Sequence, residues 1–510
     1  ALSLMSNHLP KFIQNPFFFV FLLATPAANG EHRSPDSETK RMNLTGRVTV
    51  DGKPREGVVV SDGISVVTTD SSGVYQMSSE GRQHVFISVP SDCEIPVEEG
   101  FPKFYTTISE NGDEVGRHDF ALISSPVKKR WSLMTIADPQ IGVQDTADYA
   151  NVVIPQICRF ASTLGPNTYG ISLGDLIWNS PGLYPEYKKQ SSKIGIPLFS
   201  VIGNHDHNEK IHNDSESDRD FRNSVGPTYY SVNIGDCHLV ALDDVIYSGK
   251  RNRNDYTGGL TRQQLDWLRQ DLAHVDTSKT IIVGVHIPTS RRNAPGKIQG
   301  HEELYELLRP FHRAEIFSGH THYHFTTTIA PNITETTYGA AMGAFWYPMC
   351  NDGSPRGFGV VTFDGSEIVD KFYTGSDTPR KYQMKLYRPE EAVLWNPENK
   401  AGDPYDKILI NIFCWHTDWT VEVSEDGRPF APLSADARLV PSESGGRCWD
   451  PEIRKCLVKG KIPANHGGSK PADKNDHMFL YTPCEGWSTI TVRATDPYGN
   501  VYTETLDKDK

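Results

Sequence analysis

The sequence predicts an α/β sandwich with a β-rich module on each side. In residues 130–375, short apolar runs alternate with longer amphipathic segments, which is typical of strands alternating with helices. Residues 43–124 and 385–510 contain short β-branched runs separated by turn residues instead. A length of 510 residues also suggests about three domains.

The central region contains the strongest strand and helix patterns. Apolar runs predict strands over residues 131–137, 169–173, 198–202, 238–242, 281–285 and 314–317. Amphipathic patterns predict helices over residues 149–164 and 261–273, the second with Thr261 as its N-cap. Since reactive groups in α/β folds gather at the carboxyl ends of strands, the residues that follow these runs are the candidates for function.

The two outer regions indicate structural modules. In the N-terminal one, Asp-Gly turns at Asp51-Gly52 and Asp62-Gly63 separate β-branched runs, which predicts a small sandwich. It resembles the transthyretin-like or carboxypeptidase-regulatory modules, and a structural or docking role is the better hypothesis. In the C-terminal module, strands are expected over residues 408–415, 420–423, 478–481, 489–494 and 501–506.

The N-terminal 30 residues have the pattern of a secretory signal peptide. Lys11 precedes an apolar run over residues 17–24, and the small residues Ala27, Ala28 and Gly30 follow it. The run is about half of the ~20 residues that span a bilayer, and no later stretch is long enough to cross one. We therefore expect a periplasmic or secreted protein, although a buried strand remains the alternative interpretation of this segment.

Charge and cysteine content limit the possible partners. A formal net charge of -13, with no long Lys/Arg block, argues against nucleic acid or anionic membranes as electrostatic partners. The eight cysteines lack the spacing of a zinc site. Buried thiols and disulfide bonds both remain open for them.

Five of the predicted strands end in side chains that commonly bind metals. In chain order these are Asp138 and Gln140, then Asp175, then Asn204, then His286, and finally His320 and His322. Any one of them has an ordinary interpretation, such as an N-cap or a turn residue. Five clusters at equivalent strand ends predict a metal centre, and the glycines before Asp175, Asn204 and His320 suit sharp turns close to the metals.

The residue types suit two divalent metals and phosphoester hydrolysis. Two ions about 3.5–4 Å apart neutralise phosphoryl charge and supply a nucleophile at neutral pH. Such a pair needs a bridging carboxylate, for which Asp175 is the best candidate. His320 and His322 are two residues apart, so on a continuing strand they point the same way and could bind one ion each.

The ordered motifs resemble those of the calcineurin-like metallophosphoesterases. They are Asp-Pro-Gln from Asp138, Gly-Asp at Asp175, Gly-Asn-His-Asp from Gly203, Val-His at His286 and Gly-His-Thr-His from Gly319. The resemblance implies a four-layer α/β/β/α sandwich that hydrolyses phosphate mono- or diesters by in-line attack of a metal-bound hydroxide. The arrangement with two β modules resembles exported bacterial members.

The resemblance also implies a role for each motif residue. Asp138, Gln140 and His322 hold one metal, Asn204, His286 and His320 hold the other, and Asp175 bridges them. His205 contacts the phosphate and protonates the leaving oxygen, and Asp206 orients His205. Gln140 stands where the family commonly has His, which makes Mn, Fe or Mg more plausible there against Zn. No Tyr occupies the motif position that binds iron in purple acid phosphatases.

Weaker signals concern the substrate. Asn179, His207 and Arg291, with its neighbour Arg292, are candidate substrate contacts, and ordinary surface positions are the alternative. A competing hypothesis is a non-catalytic envelope or glycan-binding protein on the same scaffold. Five tryptophans after residue 390 fit that hypothesis, although packing is the favoured role for them: Trp395, Trp415, Trp419, Trp449 and Trp487.

Overall fold

The computed structural model describes residues 42–79, 83–108, 116–250, 255–292, 294–343, 348–393, 406–439, 449–458 and 475–510. The predicted signal peptide, residues 1–30, lies outside them. Residues from Met42 to Lys510 belong to one unit. Across the described ranges we find no helix with the length and apolar character needed to cross a bilayer.

The N-terminal module is built from short strands. They are β1 (Leu44–Val50), β2 (Lys53–Pro54), β3 (Val59–Ser61), β4 (Val66–Thr68), β5 (Val74–Met77), β6 (His84–Ile87), β7 (Val97–Glu98), β8 (Phe101–Pro102), β9 (Tyr105–Thr107), β10 (Gly116–Arg117) and β11 (Phe120–Leu122). One sheet is centred on β1, and a second has the order β4-β3-β6-β9.

The central region alternates strands with helices. Its strands are β12 (Arg130–Ile136), β13 (Thr168–Leu173), β14 (Leu198–Val201), β15 (Tyr230–Ile234), β16 (Cys237–Ala241), β17 (Val245–Tyr247), β18 (Tyr256–Gly258), β19 (Thr280–Gly284), β20 (Arg313–Ser318), β21 (Phe325–Ala330), β22 (Ile333–Thr337), β23 (Gly357–Asp364) and β24 (Glu367–Gly375). Its helices are α1 (Thr146–Asp148), α2 (Ile154–Ala161), α3 (Tyr184–Ser191), α4 (Asp214–Ser217), α5 (Arg219–Ser224), α6 (Arg262–Leu272) and α7 (His301–Leu308), with a π-helical turn joining α1 to α2. Thr261 caps α6 as predicted, because its side chain accepts from the N–H of Gln264.

Two sheets form the centre of this region. The first has the order β14-β13-β12-β23-β24 and the second the order β15-β16-β19-β20-β22-β21. Within them, β12, β13 and β14 are parallel, as are β16, β19, β20 and β22. Every residue of β13 and β19 is buried, which is consistent with strands that carry no charged side chain.

Apolar layers on both faces of the sheets confirm the predicted four-layer sandwich. Leu133 and Ile171 of the first sheet share a core with Val283 of the second. Met134, the next residue on β12, points the other way into a layer with Ile157 of α2. Helices α6 and α7 contribute to the core alongside the second sheet.

The C-terminal module contains two smaller sheets. Its elements are β25 (Met384–Tyr387), α8 (Pro389–Ala392), β26 (Ile408–Ile412), β27 (Thr420–Glu425), β28 (Ala431–Pro432), α9 (Pro451–Val458), β29 (Met478–Tyr481), β30 (Thr489–Thr495) and β31 (Val501–Asp507). The strand orders are β25-β26-β29 and β28-β27-β30-β31. Cys414 and Cys484 are free thiols, and Cys448 lies outside the described residues.

Buried polar contacts join the outer modules to the central region. On the N-terminal side, Trp267 Nε1 donates to Ser61 Oγ at 3.0 Å. On the C-terminal side, Asn411 Nδ2 donates to the Asp352 carbonyl at 2.8 Å, and His477 Nε2 lies 3.2 Å from Asp352 Oδ2. Since the same carboxylate oxygen accepts from the N–H of His324 at 2.8 Å, the C-terminal module contacts the segment just after His322.

Candidate metal centre

The predicted ligands come together at the carboxyl ends of the parallel strands. Asp138 follows β12, Asp175 follows β13 and Asn204 follows β14 in the first sheet. His286 follows β19 and His320 follows β20 in the second. Because both sheets present these ends on the same side, ligands that are far apart in sequence lie within hydrogen-bond distance of each other.

Unusual backbone conformations concentrate at this centre. Six of the ten described non-glycine residues with positive φ lie here: Asp138, Gln140, Asp175, Asn179, His320 and His322. Such conformations cost of order 1–3 kcal/mol each and persist where the surrounding structure holds them. They also correct the prediction that His320 and His322 lie on a continuing strand, because β20 ends at Ser318 and both histidines lie in the loop before β21.

Glycines allow the strand ends to approach one another. A Cβ atom at Gly174, where φ is +83°, would lie 2.5 Å from Nδ1 of His286. A Cβ atom at Gly203 would lie 2.2 Å from the backbone N of Asp175. The glycines before Asp175 and Asn204 therefore have the role predicted for them, since any side chain there would displace a ligand.

The first group of ligands converges on His286. Its Nδ1 contacts the Leu173 carbonyl at 2.8 Å, so the N–H is at Nδ1 and the lone pair is at Nε2. That Nε2 lies 3.1 Å from Asn204 Oδ1, 3.2 Å from Asp175 Oδ2 and 3.2 Å from His320 Nδ1. Electron pairs that face each other in a buried site need a cation between them, so the group fits a metal ion. Asp175, His286 and His320 offer ligand atoms that all lie within 4.8 Å of one another.

The second group contains Asp138, His322 and Gln140. His322 Nε2 lies 3.4 Å from Asp138 Oδ1, a buried oxygen without a hydrogen-bond partner. The other oxygen, Oδ2, accepts from the backbone N–H of His320 at 2.8 Å. Gln140 Nε2 lies 3.5 Å from Asp175 Oδ2, and turning the amide by 180° places the metal-binding Oε1 there. An orphaned carboxylate oxygen beside an imidazole nitrogen also fits a cation.

Asp175 lies between the two groups. Its Oδ2 faces His286 on one side and Gln140 on the other, while Oδ1 accepts from the backbone N–H of His205 at 2.8 Å. Burial acts against the charged form of His286, but the Asp175 carboxylate outweighs burial and raises the pKa of His286 to about 10. Without a metal ion, Nε2 of His286 therefore binds a proton, and a metal ion would replace that proton. The position of Oδ2 is the one expected of a bridging ligand.

His205 lies beside the ligands, and its orienting partner differs from the prediction. Its Nδ1 lies 2.9 Å from Asn179 Oδ1. The Asp206 carboxylate instead accepts from the backbone N–H groups of Leu176, Ile177 and Gly203 at 2.8–3.2 Å. The assignment of Asp206 as the residue that orients His205 is therefore wrong. Asp206 fixes the Gly203–Asn204 turn against the end of β13, and Asn179 positions His205.

The other candidate substrate contacts differ in their exposure and in their hydrogen bonding. The His207 ring is 1% exposed, lies parallel to the Tyr247 ring at a centroid distance of 4.6 Å, and contacts Ser217 Oγ through Nδ1. Its burial corrects the expectation that it touches substrate. Arg291 is exposed. Its neighbour Arg292 is half-buried, and its guanidinium lies 3.8 Å from the centre of the Tyr323 ring. Arg292 Nε and Nη1 are buried and have no hydrogen-bond partner, so Arg292 is the better candidate to bind an anion.

Three supporting residues carry no sequence signal. Tyr256 OH lies 3.3 Å from His320 Nε2, and Asp244 Oδ1 accepts from the backbone N–H of His286 at 3.1 Å. The buried Glu335 carboxylate accepts from Thr289 and Ser290, after His286, and from Ser318, before His320. It thereby ties together the two loops that carry histidine ligands.

Three family models match the N-terminal, central and C-terminal regions of the chain. Residues 42–125 match the family model described as the N terminal of calcineurin-like phosphoesterase. Residues 134–324 match the calcineurin-like phosphoesterase model itself, and residues 335–502 match its C-terminal companion. A probable cyclic nucleotide phosphodiesterase from Synechococcus sp. is 29% identical over 150 residues, which are 29% of this chain and 54% of that protein. The match therefore spans about half the length of this curated relative.

Two solved structures match parts of the chain at low sequence identity. A dimetal phosphatase from Danio rerio is 14% identical with a TM-score of 0.38, over 48% of this chain and 96% of that one. A purple acid phosphatase from yellow lupin seeds is 13% identical with a TM-score of 0.37, over 63% of this chain and 67% of that one. On the three family matches, the chain belongs to the calcineurin-like phosphoesterases and carries that family's N-terminal and C-terminal domains.

Proposed function

We propose that the chain is an exported phosphoesterase that binds two divalent metal ions and hydrolyses phosphate mono- or diesters. One observation carries the proposal: Asp175 Oδ2 lies 3.2 Å from His286 Nε2 and 3.5 Å from the Gln140 amide, and so between the two groups of candidate ligands. Asp138, Gln140 and His322 would hold one ion, and Asn204, His286 and His320 the other. Mn, Fe, Zn and Mg are all candidates, with the neutral amide of Gln140 favouring harder ions at its site.

Each protein group has a task in the proposed reaction. Bound divalent ions would neutralise phosphoryl charge and supply the nucleophile from water. Asn179 Oδ1 accepts from Nδ1–H of His205 and holds the plane of the ring, so that Nε2, when protonated, would donate its proton to the leaving oxygen. Tyr256, at Nε2 of His320, fixes the ring that presents Nδ1 to the ion.

Removal and return of metal test the proposal. Dialysis against a chelator is expected to abolish hydrolysis of 4-nitrophenyl phosphate and of bis-4-nitrophenyl phosphate, because the ligand groups alone provide no nucleophile. Addition of Mn²⁺ should restore it, and metal analysis should find about two ions per chain. Full activity in metal-free protein would contradict the metal requirement. Failure to hydrolyse either ester with any of the metals added would support the non-catalytic alternative.

Arg292 is proposed to bind a non-reacting oxygen of the substrate. Replacing Arg292 with glutamine is expected to lower kcat/KM by roughly 10- to 100-fold, because a charge-assisted hydrogen bond is worth about 1.5–3 kcal/mol. The measurement is steady-state kinetics on the better of the two esters. Arg291→Gln is the matched control, and its exposed side chain predicts wild-type kinetics. Equal losses in the two variants would assign the effect to surface charge.

Export is proposed from the N-terminal sequence pattern alone. In this pattern Lys11 precedes the apolar run over residues 17–24, and small residues follow the run. Fractionation of cells that express the whole chain checks it, since mature protein retained in the cytoplasm would contradict export.

A further inference from the structure

A cavity lies between the central region and the C-terminal module. Its volume is about 230 Å³. One wall is the β21–β22 hairpin, and the facing wall contains Trp415 and Trp419, which lie between β26 and β27, and Tyr498, which lies between β30 and β31. None of the predicted metal ligands lines it.

The hairpin presents a row of hydroxyl groups to this cavity. Thr326 lies opposite Thr336, and Thr328 lies opposite Thr334, in the antiparallel pairing of β21 with β22. All four line the cavity. Residues two apart on a strand share a face, which is why the alternating threonines form a single polar wall.

Four buried polar atoms of cavity-lining residues have no hydrogen-bond partner. They are Thr336 Oγ1, Arg313 Nε, Trp415 Nε1 and the hydroxyl of Tyr338. Thr336 is 6% exposed. Buried polar groups normally find partners, and four unpaired ones around one cavity indicate a ligand with hydrogen-bonding groups of its own.

The charges around the cavity are already paired. Lys371 Nζ lies 3.2 Å from Glu315 Oε2, and His416 Nδ1 lies 2.9 Å from Asp418 Oδ1. The terminal nitrogens of Arg313 face Glu315 and Glu367 at 3.4 and 3.5 Å. A ligand therefore gains little from carrying a charge, and the unpaired atoms favour hydroxyl oxygens, which both donate and accept.

Aromatic rings complete the opposite wall. Trp415 and Trp419 are half-buried, and Trp419 is held by the Tyr502 ring at a centroid distance of 5.7 Å. Aromatic rings combine a large apolar surface with few rotatable bonds. A sugar ring matches both walls, because its C–H groups pack on aromatic rings while its hydroxyl groups form hydrogen bonds. A volume of about 230 Å³ suits one sugar ring better than a chain of them.

We propose that this cavity binds a single neutral monosaccharide, independently of the metal centre. Thr336 Oγ1 and Trp415 Nε1 form hydrogen bonds with its hydroxyl groups, and the aromatic wall packs on its ring.

Saturation-transfer NMR on the full chain tests the proposal with glucose, galactose, mannose and N-acetylglucosamine. We expect at least one of them to bind saturably with a Kd of roughly millimolar or tighter. Thr336→Val should weaken that binding by about tenfold, since it removes one hydrogen-bonding group. Trp415→Phe, which keeps an aromatic ring and removes the indole N–H, should weaken it similarly.

The stability of Thr336→Val separates binding from folding. Its urea midpoint should equal or exceed that of the wild type, because valine has nearly the shape of threonine and the lost hydroxyl has no partner in the free protein. Thr491→Val is the control, because Thr491 Oγ1 is exposed and bonds to Thr505 on β31, and it should bind as the wild type does. The proposal is overturned if none of the four sugars saturates, if both cavity variants bind normally, or if inorganic phosphate displaces the sugar.

Discussion

Replacing Asp175 with asparagine is expected to lower the bound metal from about two ions per chain to less than one. Asp175 Oδ2 is the one ligand atom that faces both His286 and Gln140, at 3.2 and 3.5 Å. Asparagine has nearly the same shape but removes the negative charge that both ions share. Turnover should fall about 10³-fold or more, because the two ions contribute several kcal/mol of transition-state stabilisation. Metal analysis and steady-state kinetics on the same preparation check both effects.

Asp138→Asn is the matched control for this prediction. Asp138 Oδ1 faces His322 and lies in the second group alone, so its loss should remove one ion and leave the other. The contrast between the two variants distinguishes a shared ligand from two separate sites. Retention of two ions by Asp175→Asn, or equal metal loss in both variants, would contradict the bridging assignment.

The positions of the proposed ligands could be predicted from the sequence because most of them lie two or three residues after the end of a strand. A buried apolar run followed by Asp, Asn or His is a local pattern, and parallel strands place their ends on one side of a sheet. Asp138, Asp175, Asn204 and His286 all obey this rule. The same reasoning predicted the sandwich, since helix and strand periodicities differ.

The path of the chain after β20 could not be predicted in this way. The i, i+2 spacing of His320 and His322 indicates a strand only if a neighbouring strand pairs with that segment. The partner strand β22 pairs with β20 no further than Ser318, opposite Thr337. Beyond that point the backbone turns through positive φ at both histidines. The His320 ring lies against His286, and the His322 ring lies against Asp138.

The supporting residues were missed because their roles depend on tertiary contacts. Asp206 is next to His205 in sequence, yet its carboxylate accepts from the backbone N–H of Leu176, just after β13. The residue that contacts the His205 ring is Asn179, which lies in another loop. Glu335 lies inside a strand, where a carboxylate has no local signature. Residues that lie just after a strand in sequence are good candidates for ligands. The residues that orient those ligands come from distant parts of the sequence and become neighbours only in the folded structure.

Replacing His205 with alanine is expected to lower kcat by about 10²- to 10⁴-fold for an alkyl phosphate, while the bound metal stays unchanged. The range is that of general acid catalysis, and the side chain of His205 is not among the proposed ligands. Its backbone N–H donates to Asp175 Oδ1 at 2.8 Å, and its ring is held by Asn179 at 2.9 Å, which places the ring next to the proposed metal centre. Steady-state kinetics and metal analysis measure the two effects together.

The leaving group decides whether His205 acts as an acid or only supports the structure. A 4-nitrophenolate leaves without a proton, so His205→Ala should lose much less activity on 4-nitrophenyl phosphate than on an alkyl phosphate. A purely structural role predicts the same loss on both, because misplacement of the metals affects every ester. His212→Ala is the control, since that exposed histidine lies only seven residues further along the chain and should leave both rates unchanged. If the loss of activity is the same for both leaving groups, His205 is not the proton donor. It would then act at the site as a binding residue.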